Sequence, residues 1–375
     1  MKIIFFQSQF KMGGQQKIVR LIAQELNKDK DVDVTVYYEN HNYFDLNGLK
    51  IIRPRHFIQI INLLKVCIWS VVRFIFDKRS VIDRWHLKNV QSAFTDEEYD
   101  LAILCNPYIL FVDEIRKITG ANKVICWTHN LYENYTEVRF KSEKQKLFSS
   151  MRSADQIVCL ESYTASRWKK INNNVVVIHN PVTIDAEGEK SSLNSKIVSF
   201  TGRIQIDSKG LDYLCDVATY LDGGVTIEVA GSGSKKEETK FKKLIKQKRV
   251  SDKIKWVGAL SGENLKEHYW RSTIFLMCSR YEGFPLVAAE AMSFGLPIIA
   301  FDIPSLEEVT SNGTYGVLVT NSNTKEMAEQ ISKLLENRNL LLKYQRLSLE
   351  RARSLSVSRI KSEWIKKVLG IKNVK

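Results

Sequence analysis

Residues 279–302 read Ser-Arg-Tyr-Glu-Gly-Phe-Pro-Leu-Val-Ala-Ala-Glu-Ala-Met-Ser-Phe-Gly-Leu-Pro-Ile-Ile-Ala-Phe-Asp. Two carboxylates stand here around an expected helix, Glu282 in the turn before it and Glu290 within it. Pro285 falls where that helix begins and Gly295 where it ends, the favoured place for each. Leu286, Ala289, Ala291 and Met292 give it an apolar face, and Leu296–Phe301 then reads as a buried strand. A helix N-terminus carries unpaired N–H groups and a partial positive charge, so it attracts phosphate. An ionised carboxylate accepts two hydrogen bonds, which suits vicinal hydroxyls. Phosphate and polyol at one helix end point to a sugar nucleotide. The plainer alternative, an amphipathic helix with a solvated Glu, leaves Glu290 with no reason to sit in so apolar a helix.

The elements that must position these groups alternate along the chain. Ile3–Gln7, Val34–Tyr38, Leu101–Cys105, Val124–Trp127, Gln156–Leu160 and Val175–Ile178 read as short apolar strands, most of them separated by helical stretches. Gly13-Gly14 is a turn opening a helix over Gln16–Asn27. Residues 180–196 are polar and read as a linker. The pattern restarts with a strand at Lys196–Thr201 and a helix at Gly210–Leu221. Strands at Thr226–Ala230, Lys255–Val257, Ile274–Met277 and Pro297–Ala300 follow. This alternation implies an α/β chain with two Rossmann-like parallel-sheet domains, 1–180 and 196–355, each binding ligands at the C-terminal ends of its strands. Facing each other, two such domains would form a cleft.

A length of 375 residues with 44% apolar composition supports two full cores and no low-complexity segment. The opening Met1-Lys2-Ile3-Ile4-Phe5-Phe6 has too short an apolar run for a signal peptide. Cys67, Cys105, Cys126, Cys159, Cys215 and Cys278 have no paired spacing and sit in or beside apolar runs. Free buried thiols in a reducing cytoplasm explain them better than disulfides or a metal site. Asp31-Val-Asp33 lies in the polar turn before a strand, so no metal role is assigned to it. Residues 1–179 hold 26 Lys and Arg against 19 Asp and Glu, and residues 50–90 alone hold nine basic residues and two acids. The N-terminal half is therefore neutral outside one segment, which argues for an anionic surface partner. The other basic run, Lys235–Lys253, reads as the solvated face of a helix. Nucleic acid is not expected as a partner, because no recognised module is present and the surplus is interleaved with aliphatics.

Several weaker signals lie at strand ends. The Gly13-Gly14 turn lets backbone N–H groups approach a phosphate, or is a plain turn. Thr201-Gly202-Arg203 ends a strand and Lys209-Gly210 opens the next helix, so two cations there either neutralise a diphosphate or are ordinary surface charges. His129 in Trp127-Thr128-His129-Asn130 either meets a sugar hydroxyl or a developing charge, or is structural. Gly231-Ser232-Gly233 is not a dinucleotide fingerprint, since Lys236 stands where the third glycine is needed.

The pair Glu282 and Glu290, with seven residues between them in a Glu-Gly-Phe-Pro-Leu setting, resembles the retaining glycosyltransferases of family four, which have the GT-B fold. The likeness extends along most of the chain. It implies that Glu282 holds donor-sugar hydroxyls with the backbone N–H groups of Gly283, Phe284 and Leu286. It implies that Glu290 holds the ribose, that Arg203, Lys209 and Gly14 approach the donor diphosphate, and that His129 is in the active site. Gly231 and Gly258-Ala259-Leu260 match the loops beneath the base. It also implies that the final helix, Ser356–Leu369 within 356–375, packs back toward the first domain. No cofactor or metal is expected, the nucleotide sugar being a substrate with uridine favoured as its base. The chain departs from the family at Cys278, where a Pro is usual, at Asn180-Pro181 in place of Asn-Gly, and at Ile303-Pro304, which leaves the diphosphate loop near Ser305–Glu308 undefined.

The expected activity is transfer of a hexose or N-acetylhexosamine from a nucleotide-diphosphate sugar to a lipid-linked or polysaccharide acceptor, with retention. A sugar-nucleotide epimerase of the same fold and a non-catalytic membrane-surface protein are the alternatives. In Phe57–Phe76, 15 of 20 residues are apolar, and Gln59, Asn62, Lys65, Ser70 and Arg73 share an arc of about 140°. Lys65 and Arg73 each cost roughly 2.5–3.5 kcal/mol near a bilayer centre, so the segment does not read as membrane-spanning. With Arg53, Arg55, Lys78 and Arg79 at its ends it reads either as a helix in an anionic membrane interface or as one buried on the first sheet. The first reading makes the protein cytoplasmic and peripheral on the inner face of the plasma membrane, held through residues 53–79.

Overall fold

The computed structural model describes residues 1–10, 13–72, 78–95 and 97–371. It divides into two compact units, Met1–His179 with Ile360–Lys375, and Asn180–Arg359.

The first unit holds strands β1 (Lys2–Phe6), β2 (Gln9–Phe10), β3 (Asp33–Tyr37), β4 (Asn40–Asn42), β5 (Lys50–Ile52), β6 (Leu101–Leu104), β7 (Lys123–Trp127), β8 (Gln156–Cys159) and β9 (Val175–Val177). Its helices are α1 (Gly14–Asn27), α2 (His56–Val72), α3 (Lys78–Ala93), α4 (Val112–Thr119), α5 (Lys144–Ser153) and α6 (Ser162–Trp168). Seven strands form a parallel sheet in the order β5-β3-β1-β6-β7-β8-β9, and β2 and β4 pair separately. Central β1 shows why its sequence is continuously apolar. Ile3, Ile4, Phe5 and Phe6 are all fully buried, with Phe5 in register between Val36 and Ile103. A parallel strand covered on both faces admits no alternation.

The second unit holds β10 (Ile197–Thr201), β11 (Thr226–Ala230), β12 (Ile254–Gly258), β13 (Ile274–Met277), β14 (Ile298–Phe301) and β15 (Val317–Val319), in the parallel order β12-β11-β10-β13-β14-β15. Its helices are α7 (Ile206–Lys209), α8 (Leu211–Tyr220), α9 (Lys235–Gln247), α10 (Gly262–Trp270), α11 (Leu286–Ser293), α12 (Pro304–Thr310), α13 (Thr324–Glu336) and α14 (Arg338–Ser354). In both sheets the strand order reverses beside the first strand, between β1 and β6 and between β10 and β13. Such a switch point opens a crevice at the strands' C-terminal ends.

The polar segment 180–196 belongs to the second unit. Val182 N–H donates to Leu355 O at 2.8 Å, Ser191 N–H to Phe294 O at 2.9 Å, and Gln345 Nε2 to Ser191 O at 2.7 Å. Its polarity reflects these bonds to neighbouring backbone. The chain then returns to the first unit through α15 (Val357–Trp364). Trp364 is fully buried there, 4.5 Å from the Trp127 ring at the end of β7. Gln156 Nε2 of β8 donates to Lys367 O at 3.1 Å.

Helix α2 turns part of its polar stripe toward the protein and an apolar side outward. Gln59 and Asn62, two members of its polar stripe, are both 5% exposed, whereas Phe57, Leu64 and Ile68 are 72%, 58% and 65% exposed. Lys65 is exposed; the Ser70 side chain and Arg73 lie outside the described residues. No helix among the described residues is long and apolar enough to cross a membrane.

Trp364→Ala should leave a large cavity beside Trp127. Removal of a fully buried Trp costs about 3–5 kcal/mol. Chemical denaturation should show that loss in the transition of the first unit. An unchanged transition would mean that the returning segment contributes nothing to this core.

Candidate functional site

The second unit gathers its charged groups at the β10/β13 switch point. Arg203 follows β10, is exposed, and has no hydrogen bond or ion pair among the described residues. Lys209 closes α7, and its Nζ donates to Glu282 Oε1 at 2.5 Å. Ser279 Oγ donates to the same oxygen at 2.7 Å. The two charged side chains are mostly buried, 16% and 12% exposed.

Backbone geometry creates this meeting. Gly210 has φ +61°, and a Cβ there would stand 1.9 Å from Cys278 O, so only glycine lets the turn after Lys209 lie against the end of β13. Arg280 then clamps the two segments. Its N–H donates to Ser208 O at 3.0 Å, and its guanidinium bonds Asp212 through both nitrogens at 2.8 and 2.5 Å and Asp207 O at 3.0 Å. Burial works to raise the Asp212 carboxyl, but the hydrogen bonds and charge of Arg280 outweigh it and hold the group below the usual carboxylate range. Cys278, standing where a Pro is usual, is buried, and its Sγ lies 3.7 Å from Met327 Sδ. Burial pushes its thiol up, so it is a packing residue.

Helix α11 follows directly, with Pro285 at its N-cap, which supplies no side-chain cap. Glu290 is 4% exposed on that helix. Thr183 Oγ1 and the Tyr269 hydroxyl both donate to it, the latter at 3.4 Å. Burial and the Glu290 charge raise Tyr269 well above its ordinary value, so it stays a neutral donor. A carboxylate held in this way is an acceptor for hydroxyl hydrogen bonds. Thr183 and Tyr269 carried no sequence signal, because they lie 107 and 21 residues from Glu290. Ser279 is part of the quoted motif but was given no role.

The two loops matched to the base stand side by side. Gly231 N–H donates to Gly258 O at 2.7 Å, and Trp256 Nε1 donates to Gly231 O at 2.8 Å. A Cβ on Gly231 would stand 1.8 Å from Gly202 O, so glycine permits the loops after β10 and β11 to touch. Ala259 is exposed and Leu260 half-buried. Ser305–Glu308 forms the first turns of α12, opened by Pro304.

Gly14 and His129 lie in the first unit, at the C-terminal ends of β1 and β7. Gly14 opens α1, whose N-cap Gly13 supplies no side-chain cap, and no acid occupies the first turn. His129 is 7% exposed, with Nε2 3.5 Å from Cys105 Sγ and Nδ1 without a partner among the described residues. Its backbone N–H donates to the Tyr135 hydroxyl at 2.8 Å. Burial lowers its pKa to about 3, so the ring is a neutral hydrogen-bonding group. Glu39, just after β3, is also buried. It accepts from the Tyr108 hydroxyl at 2.8 Å and lies 2.5 Å from His86 Nδ1.

Comparison with known proteins identifies this architecture. The family model described as Glycosyltransferase Family 4 matches residues 12–186, and that of Glycosyl transferases group 1 matches residues 183–350. The chain belongs to this glycosyltransferase family, and its fold is GT-B. An uncharacterised glycosyltransferase of Haemophilus influenzae is 26% identical over 283 residues, covering 74% of this chain and 78% of that one. The GalNAc-alpha-(1->4)-GalNAc-alpha-(1->3)-diNAcBac-PP-undecaprenol alpha-1,4-N-acetyl-D-galactosaminyltransferase of Campylobacter jejuni is 21% identical over 392 residues, covering 100% and 99% of the two chains. Among solved structures, Anabaena Alr3699/HepE in complex with UDP superposes with a TM-score of 0.77 at 16% identity, covering 99% of this chain and 100% of that one.

The lowered pKa of His129 has a definite sign. The unfolded state takes up a proton near pH 6.5 that the folded state refuses until about pH 3, so this group's contribution to stability is complete above 6.5 and is lost as pH falls. A proton-detected titration should show the His129 ring neutral from pH 8 to 5. An inflection near 6.5 would contradict the buried placement.

Proposed function

We propose that the protein transfers a hexose or N-acetylhexosamine from a UDP-sugar to a hydroxyl of a lipid-linked or polysaccharide acceptor, with retention and without a divalent ion, in building a bacterial surface glycan. The observation that carries the reading is the Lys209–Glu282 pair, a cation and a carboxylate joined at 2.5 Å at the mouth of the second sheet. Lys209 and Arg203 take the diphosphate charge that develops on departure. Glu282, with the N–H groups of Gly283, Phe284 and Leu286, holds the sugar hydroxyls. Glu290 holds the ribose hydroxyls at the seat that Thr183 and Tyr269 define. The acceptor oxygen forms its bond to the anomeric carbon on the face from which the diphosphate oxygen leaves. The acceptor proton passes to that leaving oxygen, so no enzymic nucleophile is required. His129, neutral and with Nδ1 unpartnered among the described residues, offers a hydrogen bond to a sugar hydroxyl.

The naming of the Campylobacter relative for transfer to an undecaprenol-linked saccharide, and the UDP in the Anabaena structure, support the acceptor and donor classes. The cytoplasmic face of the plasma membrane is where such an acceptor and a nucleotide donor meet. An anionic membrane surface is then the second partner, through residues 53–79.

Lys209→Ala and Glu290→Ala should each lower turnover at least about 100-fold, as for loss of a preorganised electrostatic contact, with the protein still folded. Near-normal rates in both would remove the site from consideration. Turnover should also survive EDTA. Loss restored by Mn²⁺ or Mg²⁺ would overturn the charge-neutralising role given to Arg203 and Lys209.

A further inference from the structure

Helix α2 is built inside out. Gln59 and Asn62, which prefer water, face the protein. Gln59 Nε2 donates to Glu39 O at 3.1 Å and to Pro54 O at 3.2 Å. Asn62 Nδ2 donates to Asn89 Oδ1 at 3.0 Å, to Ser92 Oγ at 3.2 Å and to Lys88 O at 3.2 Å. Trp85 Nε1 donates to the Gln59 carbonyl at 2.9 Å. These bonds lock the rotation of α2 about its axis, because turning it would bury polar groups without partners. The opposite side carries Phe57, Ile60, Leu63, Leu64 and Ile68, all more than 40% exposed, and the exposed Cys67. The fold therefore holds a continuous row of large apolar groups outward and gives it no way to turn in.

The charge around the row identifies what covers it. Residues 50–72 contain Lys50, Arg53, Arg55 and Lys65 and no acid. Arg53, Arg55 and Lys65 are exposed along the rim. On the neighbouring helix, Asp83 is buried and held by Arg139 at 2.8 Å. An apolar row with a cationic rim complements acyl chains beneath anionic headgroups. A second copy of this chain fits poorly, since a two-fold interface would press the same cationic rim against itself.

We infer that α2 seats the protein on anionic bilayers by inserting the row Phe57, Ile60, Leu64 and Ile68, while Gln59 and Asn62 fasten the helix to the protein. This deepens the membrane part of the proposed function and does not depend on the transfer chemistry. It also sets which side of the helix meets the bilayer, which the sequence alone leaves open. The inner side of α2 bonds the backbone of Glu39, at the C-terminal end of β3, so a lipid-linked acceptor would be presented beside that edge of the first sheet.

The test uses the full chain and vesicles of phosphatidylcholine with or without 30% phosphatidylglycerol. The wild type should float with the anionic vesicles and bind neutral ones at least tenfold more weakly. Ile60→Ser, Leu64→Ser and Ile68→Ser together should abolish flotation at unchanged melting temperature, because these side chains are already solvent-facing. Arg55→Glu with Lys65→Glu should remove the preference for anionic lipid. A polarity-sensitive dye on Cys67 should shift to the blue on vesicles. Turnover on a water-soluble acceptor should stay near normal in the triple variant, which separates failure of this inference from failure of the transferase reading. No flotation, flotation unaffected by the triple change, or an unshifted Cys67 dye would each overturn it. So would concentration-dependent dimerisation that the triple change abolishes, which would assign the row to a second copy.

Discussion

A parallel sheet covered on both faces has no room for polar side chains along its strands. Every group able to do chemistry is driven to the strand ends, and the order of the strands decides which ends meet. In the second unit this constraint brings Lys209, from the connection after β10, onto Glu282, from the connection after β13. In the first unit it leaves Gly14 and His129 at the same edge of their own sheet. The glycines carry out the constraint at atomic scale. Gly210 and Gly231 remove the Cβ atoms that would keep neighbouring connections apart.

Around this frame, precision comes from groups that touch no reacting atom. Arg280, from the connection after β13, bonds both the backbone and Asp212 of the connection after β10 and lies 3.9 Å over the Tyr213 ring. Because the salt bridge is bidentate, it sets direction as well as distance. Lys209 and Glu282 are thus placed by a second ion pair that lies beside theirs. Glu290 is placed in a similar way by Thr183, which reaches it from the segment that joins the two units in sequence.

Much of this was legible in the residues themselves. Most strands of both sheets follow from apolar runs too continuous for amphipathic elements, and β10 and β13 stand within a residue or so of their expected bounds. The Glu282/Glu290 motif and the cations after β10 were visible because their meaning is local: a turn, a helix start, a strand end. What was not legible is of another kind. β15 and β5 are three residues long, too short to show periodicity. Thr183 and Tyr269 are ordinary residues until folding sets them on Glu290. Segment 180–196 read as a linker because its polar side chains and backbone find their partners far along the chain. The periodicity of α2 was plain, but not its facing, since a helical wheel gives the angle between two faces and not which of them looks inward.

The return of residues 360–371 to the first unit has a consequence for how the protein is made. Trp127 receives its cover from Trp364, which the ribosome adds only after the whole of the second unit. The nascent first unit can pair its seven strands early but must wait with an aromatic hollow at the end of β7. The second unit has all its strands and helices in one uninterrupted stretch and faces no such delay. Although translated later, it is able to finish first, so the order of synthesis and the order of completion are opposite in this chain.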